Sequence, residues 1–113
     1  MKKVFIVLLL IVGVYACTKQ KVNESIVDCS GPAKSFVFDV SPVFQLSCAN
    51  GSGCHGSGSN NGPGALLTYT QIFNDREEIR SVVASGHMPL NGSLTASQKN
   101  TILCWIDNGA QNN

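Results

Sequence analysis

The sequence predicts a mainly α domain of three to four short helices with a glycine-rich loop after the first helix. Three observations predict this fold class. Apolar residues recur at helical spacing in residues 41–48, 69–86 and 95–109. Residues typical of helix caps flank these segments. Little of the chain shows the strict alternation expected of a half-buried strand. A chain of 113 residues has room for one small domain.

The first 16 residues have the pattern of a targeting segment. Lys2 and Lys3 precede an apolar run, and that run is too short for a typical spanning helix of about 20 residues. Its end, "VYAC", resembles the lipobox of bacterial lipoproteins. The resemblance implies that residues 1–16 are a lipoprotein signal peptide and that Cys17 carries the lipid. An ordinary signal peptide followed by an unrelated cysteine is the alternative.

The predicted signal peptide sets the expected location of the protein and the bounds of its folded domain. We expect a lipid-anchored protein of the bacterial cell envelope, on a periplasmic or outer-surface face. Residues 17–34 are polar and aperiodic, which predicts a lipidated cysteine followed by a flexible tether. Such a tether has an average reach of roughly 20–25 Å. The folded domain is then expected to span residues 35–113.

The first part of the domain is predicted to deliver a cysteine to the end of a helix. Residues 35–40 are apolar and could be extended. Ser41 is a good N-cap, and Pro42 suits the first helical position. The residues expected to face the core are Val43, Phe44 and Leu46. Cys48 then stands at the helix end, and residues 49–64 are too rich in glycine for a regular helix or strand.

Three further helical segments are predicted after this loop. Thr70 is expected to cap a first turn and Asn74 or Asp75 a second helix, which ends at Gly86. Thr95 and Gln98 have the spacing of a capping box, and Gly109 is a stop signal. The residues expected to form the buried stripe of this last helix are Ile102, Trp105 and Ile106.

Charge excludes one class of partner. The formal net charge of the whole sequence is +1, and it becomes slightly negative once Lys2 and Lys3 are removed with the signal peptide. The chain therefore lacks the basic footprint of a nucleic-acid-binding protein. It also carries no phosphate-binding loop. The acidic run at residues 75–78 is explained by a helix start, where the helix dipole favours negative charge.

The chemistry of the chain is concentrated in "CANGSGCHG", residues 48–56. Cys48 and Cys54 are separated by five residues, whereas the c-type haem attachment signature has two, and His55 follows directly. Covalent haem would use all three residues. The alternatives are a Cys48–Cys54 disulfide, a zinc site that adds His87, and a copper site that adds Met88.

The order of features over about residues 36–111 resembles a small class I cytochrome c domain. More closely, it resembles exported haem-domain lipoproteins of bacteria. These often show a lengthened Cys…Gly-Cys-His motif, a Gly-x-Met-Pro loop and a final helix ending in Trp-Ile-x-x-Gly-Ala. The corresponding stretches here are "CANGSGCH", "GHMP" and "CWIDNGA".

The resemblance implies one covalent haem c and assigns its ligands. Cys48 and Cys54 would form the thioethers, His55 would be the proximal iron ligand and Met88 the distal one, with His87 as the alternative distal ligand. The implied function is a membrane-anchored monohaem cytochrome that transfers single electrons to an unidentified redox partner, and not an enzyme. The alternatives are a disulfide-stapled exported lipoprotein that acts as a binding or structural module without haem, and an enzyme with an open coordination position.

Two cysteines remain outside this assignment. If haem takes the other pair, as the resemblance implies, we expect a disulfide between Cys29 and Cys104 that pins the tether to the last helix. From the sequence alone, four cysteines allow three pairings. The three extra residues in the haem motif would have to bulge outward, and glycines at positions 51 and 53 favour such a bulge.

Overall fold

The structure is a computed structural model that describes residues 27–113. Its elements are a π-helix, Phe36–Val40, which runs directly into α1, Ser41–Ser47, followed by α2, Tyr69–Asn74, α3, Arg76–Ala84, and α4, Ala96–Asp107. No strand occurs in residues 27–113, so the mainly α prediction is confirmed for this part of the chain. The predicted signal peptide, Cys17 and the first part of the predicted tether lie outside the described residues.

Helix α4 forms the centre of the core. Ile102, Leu103 and Trp105 are at most 1 % exposed, and α4 packs against both α3 and the π-helix. The predicted stripe of α4 is therefore confirmed. Its start is also confirmed, because Thr95 and Gln98 form the reciprocal capping box.

Aromatic side chains join α4 to the helices around it. The ring of Phe36 lies 5.6 Å from that of Trp105 and meets the Tyr69 ring edge-on at 5.2 Å. Tyr69 in turn stacks on Phe73. Such ring pairs add about 0.5–1.5 kcal/mol beyond the area they bury. They fix α2 and the π-helix on one side of α4.

Residues 35–40, which could be extended on the sequence pattern, are instead helical: Ser35 caps the π-helix that spans Phe36–Val40. Polar groups that the pattern could not reveal stabilise this helix at its start. The Ser35 hydroxyl accepts a hydrogen bond from the Phe38 N–H, and the Asp39 carboxylate accepts one from the Ser35 N–H at 2.8 Å. Asn113 adds acceptors for the N–H groups of Phe36 and Val37. Because the backbone is already helical, Ser41 does not act as an N-cap.

Two smaller predictions are also corrected. Thr68, and not Thr70, caps α2, because Thr68 forms a capping box with Gln71. Leu46 was expected inside but is 73 % exposed, whereas Phe44 is buried as expected. Helix α1 is only seven residues long, so its buried face is narrow and includes few positions.

Two links hold the ends of the described chain against the domain. Cys29 and Cys104 form a disulfide with a Cα–Cα distance of 5.4 Å, which is the pairing expected above. At the other end, the Tyr69 hydroxyl donates to the Ala110 carbonyl and the Trp105 indole N–H donates to the Gln111 carbonyl, both at 2.9 Å. The core and the site described next therefore belong to one stapled domain.

Candidate functional site

Cys48 is positioned by the end of α1. Its N–H donates to the Phe44 carbonyl at 2.9 Å, which completes the last turn of the helix. The side chain is half-buried and packs against the hydrophobic core. The sequence prediction that α1 delivers this cysteine to its end is confirmed.

The five residues between the cysteines fold into a compact turn. The Gly51 carbonyl accepts hydrogen bonds from the N–H groups of Cys54, at 3.2 Å, and Gly56, at 2.9 Å. Gly51 has a φ of +74°, a conformation that glycine adopts without steric cost. Gly56 is packed so tightly that an added Cβ would lie 2.7 Å from the Gly51 carbonyl oxygen. The turn therefore depends on glycine at both of its ends.

The turn brings His55 back to the first cysteine. The His55 N–H donates to the Cys48 carbonyl at 3.0 Å, although seven positions separate the two residues. Cys48, Cys54 and His55 are thus assembled at one place, where α1 meets the glycine-rich loop. Both thiols are half-buried and neither is in a disulfide.

The His55 ring is oriented by the far side of the loop. Its Nδ1 lies 2.9 Å from the Gly64 carbonyl oxygen. A carbonyl can only accept, so Nδ1 carries the proton in this bond and the lone pair of the neutral ring lies on Nε2. The His55 carbonyl also accepts from the Leu66 N–H at 2.8 Å. The ring is half-buried, with Nε2 as its available ligand atom.

Ser59 and Asn61 hold the loop in this shape, and the sequence analysis missed both. Ser59 is buried and its hydroxyl donates to the Cys54 carbonyl. The Asn61 N–H donates to the Ser59 hydroxyl at 3.2 Å, and the Asn61 amide donates to the Gly53 carbonyl at 2.9 Å. Serine and asparagine favour such local bonds to the backbone in turns. That preference is the signal that could have identified them.

The two thiols differ in their surroundings. Burial, and to a smaller extent the neighbouring Cys54, raises the pKa of the Cys48 thiol to about 11. Cys48 therefore stays protonated at neutral pH and reacts slowly as a thiolate nucleophile. Asp75, the residue directly before α3, lies within electrostatic range of His55. Burial is the main cause that raises the pKa of Asp75, and Glu78 adds to it while His55 opposes it.

The Met-Pro segment is held from a different part of the fold. The Met88 N–H donates to the Val82 carbonyl of α3 at 3.0 Å, and the Met88 side chain is half-buried. His87 is exposed. The bond between Met88 and Pro89 is cis. Met88 is thus anchored by α3, whereas His55 is anchored by the glycine-rich loop.

The described residues offer a clear test of the zinc alternative. Among residues 27–113, no three side chains of His, Cys, Asp or Glu are grouped so that they could hold a metal ion. The set of Cys48, Cys54, His55 and His87 is therefore not assembled as a zinc site.

The Cys48–His55 segment carries the residue types to which a covalent haem would bond. Cys48 and Cys54 are outside any disulfide, and the backbones of Cys48 and His55 are joined by a hydrogen bond. Large apolar side chains are exposed nearby along the chain. Leu46 precedes Cys48 by two positions, Leu67 follows the segment bonded to His55, and Leu90 follows Met88 by two positions. These leucines are exposed apolar side chains that a bound haem could cover, and the thiols and the imidazole are the groups to which it would bond.

Comparisons with known proteins find no matching family model, no matching curated protein and no matching solved structure. Within residues 27–113, no helix is both long and apolar enough to cross a membrane.

Proposed function

We propose that the chain is a lipid-anchored, monohaem c-type cytochrome that carries one electron at a time. The observation that carries the proposal is the hydrogen bond from the His55 N–H to the Cys48 carbonyl. In the ordinary attachment signature the histidine follows the first cysteine by four positions. Four positions is also the spacing of N–H and carbonyl partners in an α-helix.

In the lengthened motif of this chain, the histidine N–H is also bonded to the carbonyl of the first cysteine. His55 stands seven positions after Cys48, yet its N–H and the Cys48 carbonyl are bonded at 3.0 Å. The three extra residues are accommodated by the turn around Gly51. This geometry supports the proposal, since the longer spacing leaves the backbone of the first cysteine bonded to that of the histidine.

The proposed roles follow from the atoms each residue offers. Cys48 and Cys54 would hold the haem through thioethers, and His55 Nε2 would be the proximal iron ligand. The Gly64 carbonyl fixes the tautomer and the orientation of the His55 ring. A hydrogen bond of this kind also raises the basicity of a ligating histidine.

Met88 is the proposed distal ligand. Its side chain is half-buried, which suits a ligand on an apolar face, whereas His87 is exposed to solvent. A methionine ligand would raise the reduction potential relative to a second histidine. With both axial positions filled, the protein would transfer electrons and not bind a substrate at the iron.

Bound haem would supply an iron that accepts and releases one electron. The chain's contribution is to hold the porphyrin and to keep water from its edges. Leu46, Leu67 and Leu90 are exposed in the described structure and are the apolar side chains available for this cover. The proposed anchor is a lipid on Cys17, which would place the domain at the bacterial cell envelope.

The proposal is tested by expressing the full chain with haem-attachment machinery and staining a denaturing gel for covalent haem. A haem signal that survives reduction supports the proposal, because thioethers resist reductants that break disulfides. Cys48→Ala and Cys54→Ala distinguish one thioether from two by the pyridine haemochrome spectrum. A colourless protein would contradict the proposal. Rapid binding of carbon monoxide to the reduced protein would contradict Met88 as the distal ligand.

A further inference from the structure

Val37 and Phe38 form an exposed apolar pair on the π-helix, here called the Val37–Phe38 pair. Their exposed fractions are 55 % and 82 %, and Phe38 is the most exposed large apolar side chain of the described residues. The proposed function assigns Leu46, Leu67 and Leu90 to cover the haem and gives no role to this pair. Phe38 precedes the nearest proposed haem ligand, Cys48, by ten positions.

The disulfide fixes where the proposed anchor chain joins the domain. Cys29 is bonded to Cys104 of α4, so only residues 18–28 separate the anchored Cys17 from a fixed point on the domain. Val27 already packs against the core, so nine residues, 18–26, remain, and a flexible chain of that length would have an average reach of roughly 17 Å. A folded domain of this size has a diameter of about 30 Å. Because this average reach is less than the width of the domain, the face that bears Cys29 would on average lie nearer the membrane than the opposite face.

The Val37–Phe38 pair lies close to this face. Lys34 lines the same surface cleft as Cys29 and Cys104. The Phe38 N–H donates to the Ser35 hydroxyl at 3.3 Å, and Ser35 directly follows Lys34 in the chain. The pair therefore lies within about one helical turn of a residue that lines the cleft.

We propose that the Val37–Phe38 pair contacts the lipid surface beside the anchor and so fixes which way the domain faces. The inference rests on the lipid anchor in the proposed function. Aromatic side chains are favoured at the interface between lipid and water. A single exposed phenylalanine would bind a membrane weakly in a free protein. The tether makes this contact intramolecular, with an effective concentration of about millimolar, so that a small apolar surface is sufficient.

The test uses the full lipidated chain on vesicles of phosphatidylcholine and phosphatidylglycerol that carry photoactivatable acyl chains. Cross-linked peptides are identified by mass spectrometry. We expect labelling of residues 35–40 and a roughly tenfold loss of that label in Phe38→Ser, because the variant removes most of the apolar contact. Phe38→Trp is the matched control and should retain the label, because tryptophan also favours the interface. Since Phe38 is exposed, neither change removes a core contact.

Three outcomes would overturn the inference. The label could be confined to the tether, it could fall equally on α3, or it could be unchanged in Phe38→Ser. A chain that carries no lipid and stays off the vesicles would overturn it as well. Haem staining of the same sample separates the two proposals. Protein that lacks haem but is labelled at residues 35–40 contradicts the cytochrome assignment and supports the membrane contact.

Discussion

Replacing Gly56 with alanine should break the turn that assembles Cys48, Cys54 and His55. The added Cβ would lie 2.7 Å from the Gly51 carbonyl oxygen and 2.8 Å from two other Gly51 backbone atoms. An ordinary contact needs at least about 3.4 Å, so the two backbone segments must separate by roughly 0.7 Å. Overpacking of this kind costs about 1–3 kcal/mol. The separation would also strain the hydrogen bond from the Gly56 N–H to the Gly51 carbonyl.

The assay is thermal unfolding of Gly56→Ala together with the yield of covalent haem. A loss of 1–3 kcal/mol corresponds to a fall in Tm of about 4–24 °C, since 1 kcal/mol shifts a domain of this size by about 4–8 °C. Gly53→Ala is the matched control, because a Cβ at position 53 meets nothing within 4 Å. We expect Gly53→Ala to be close to wild type in both readouts. If Gly56→Ala matches Gly53→Ala in stability and haem yield, the tight turn is not what assembles the site.

Three further variants test the fold and the proposed ligands. Cys104→Ser should lower the free energy of unfolding by about 4 kcal/mol, because the disulfide that it removes closes a loop between residues 75 positions apart. A denaturant unfolding curve identical to that of the wild type would refute this. Hydrogen bonds from Arg80 lower the pKa of Asp107 below its ordinary 3.8. The pair therefore stabilises the fold above that pH, by at most about 1 kcal/mol at this exposed position. This stabilisation is lost as the pH falls through the lowered pKa of Asp107. Asp107→Asn should therefore lower the free energy of unfolding at pH 7 but leave it unchanged at low pH, as measured by equilibrium unfolding at the two pH values. Met88→Leu should abolish the methionine-to-iron charge-transfer band of the oxidised protein, whereas His87→Gln should retain it, and the reverse pattern would make His87 the ligand.

The parts of the fold that the sequence predicted well depend on interactions local to each helix. The capping box at Thr95 and the stripe that includes Trp105 are encoded within one helix, and both are confirmed. The helical form of residues 35–40 was not predicted because it is stabilised from far along the chain. Asn113 supplies acceptors to N–H groups at the start of this π-helix, and no local pattern reveals a partner 77 positions away.

The candidate site was predictable in its residues but not in its geometry. Cys48, Cys54 and His55 follow from residue type and spacing. Their assembly depends on the bond between His55 and Cys48 and on the support of the loop by Ser59. The sequence showed that a glycine-rich bulge was allowed. It could not show that the bulge closes on itself, because this depends on the backbone conformation of the whole loop.

The central claim is that Cys48 and Cys54 hold one haem with His55 as its proximal ligand. The most direct measurement is a pyridine haemochrome assay on mature protein from its native host, combined with its intact mass before and after reduction. We predict a c-type spectrum, a mass that includes one haem, and a mass change on reduction that corresponds to the Cys29–Cys104 disulfide alone. A colourless protein whose mass change on reduction corresponds to two disulfides would contradict the claim.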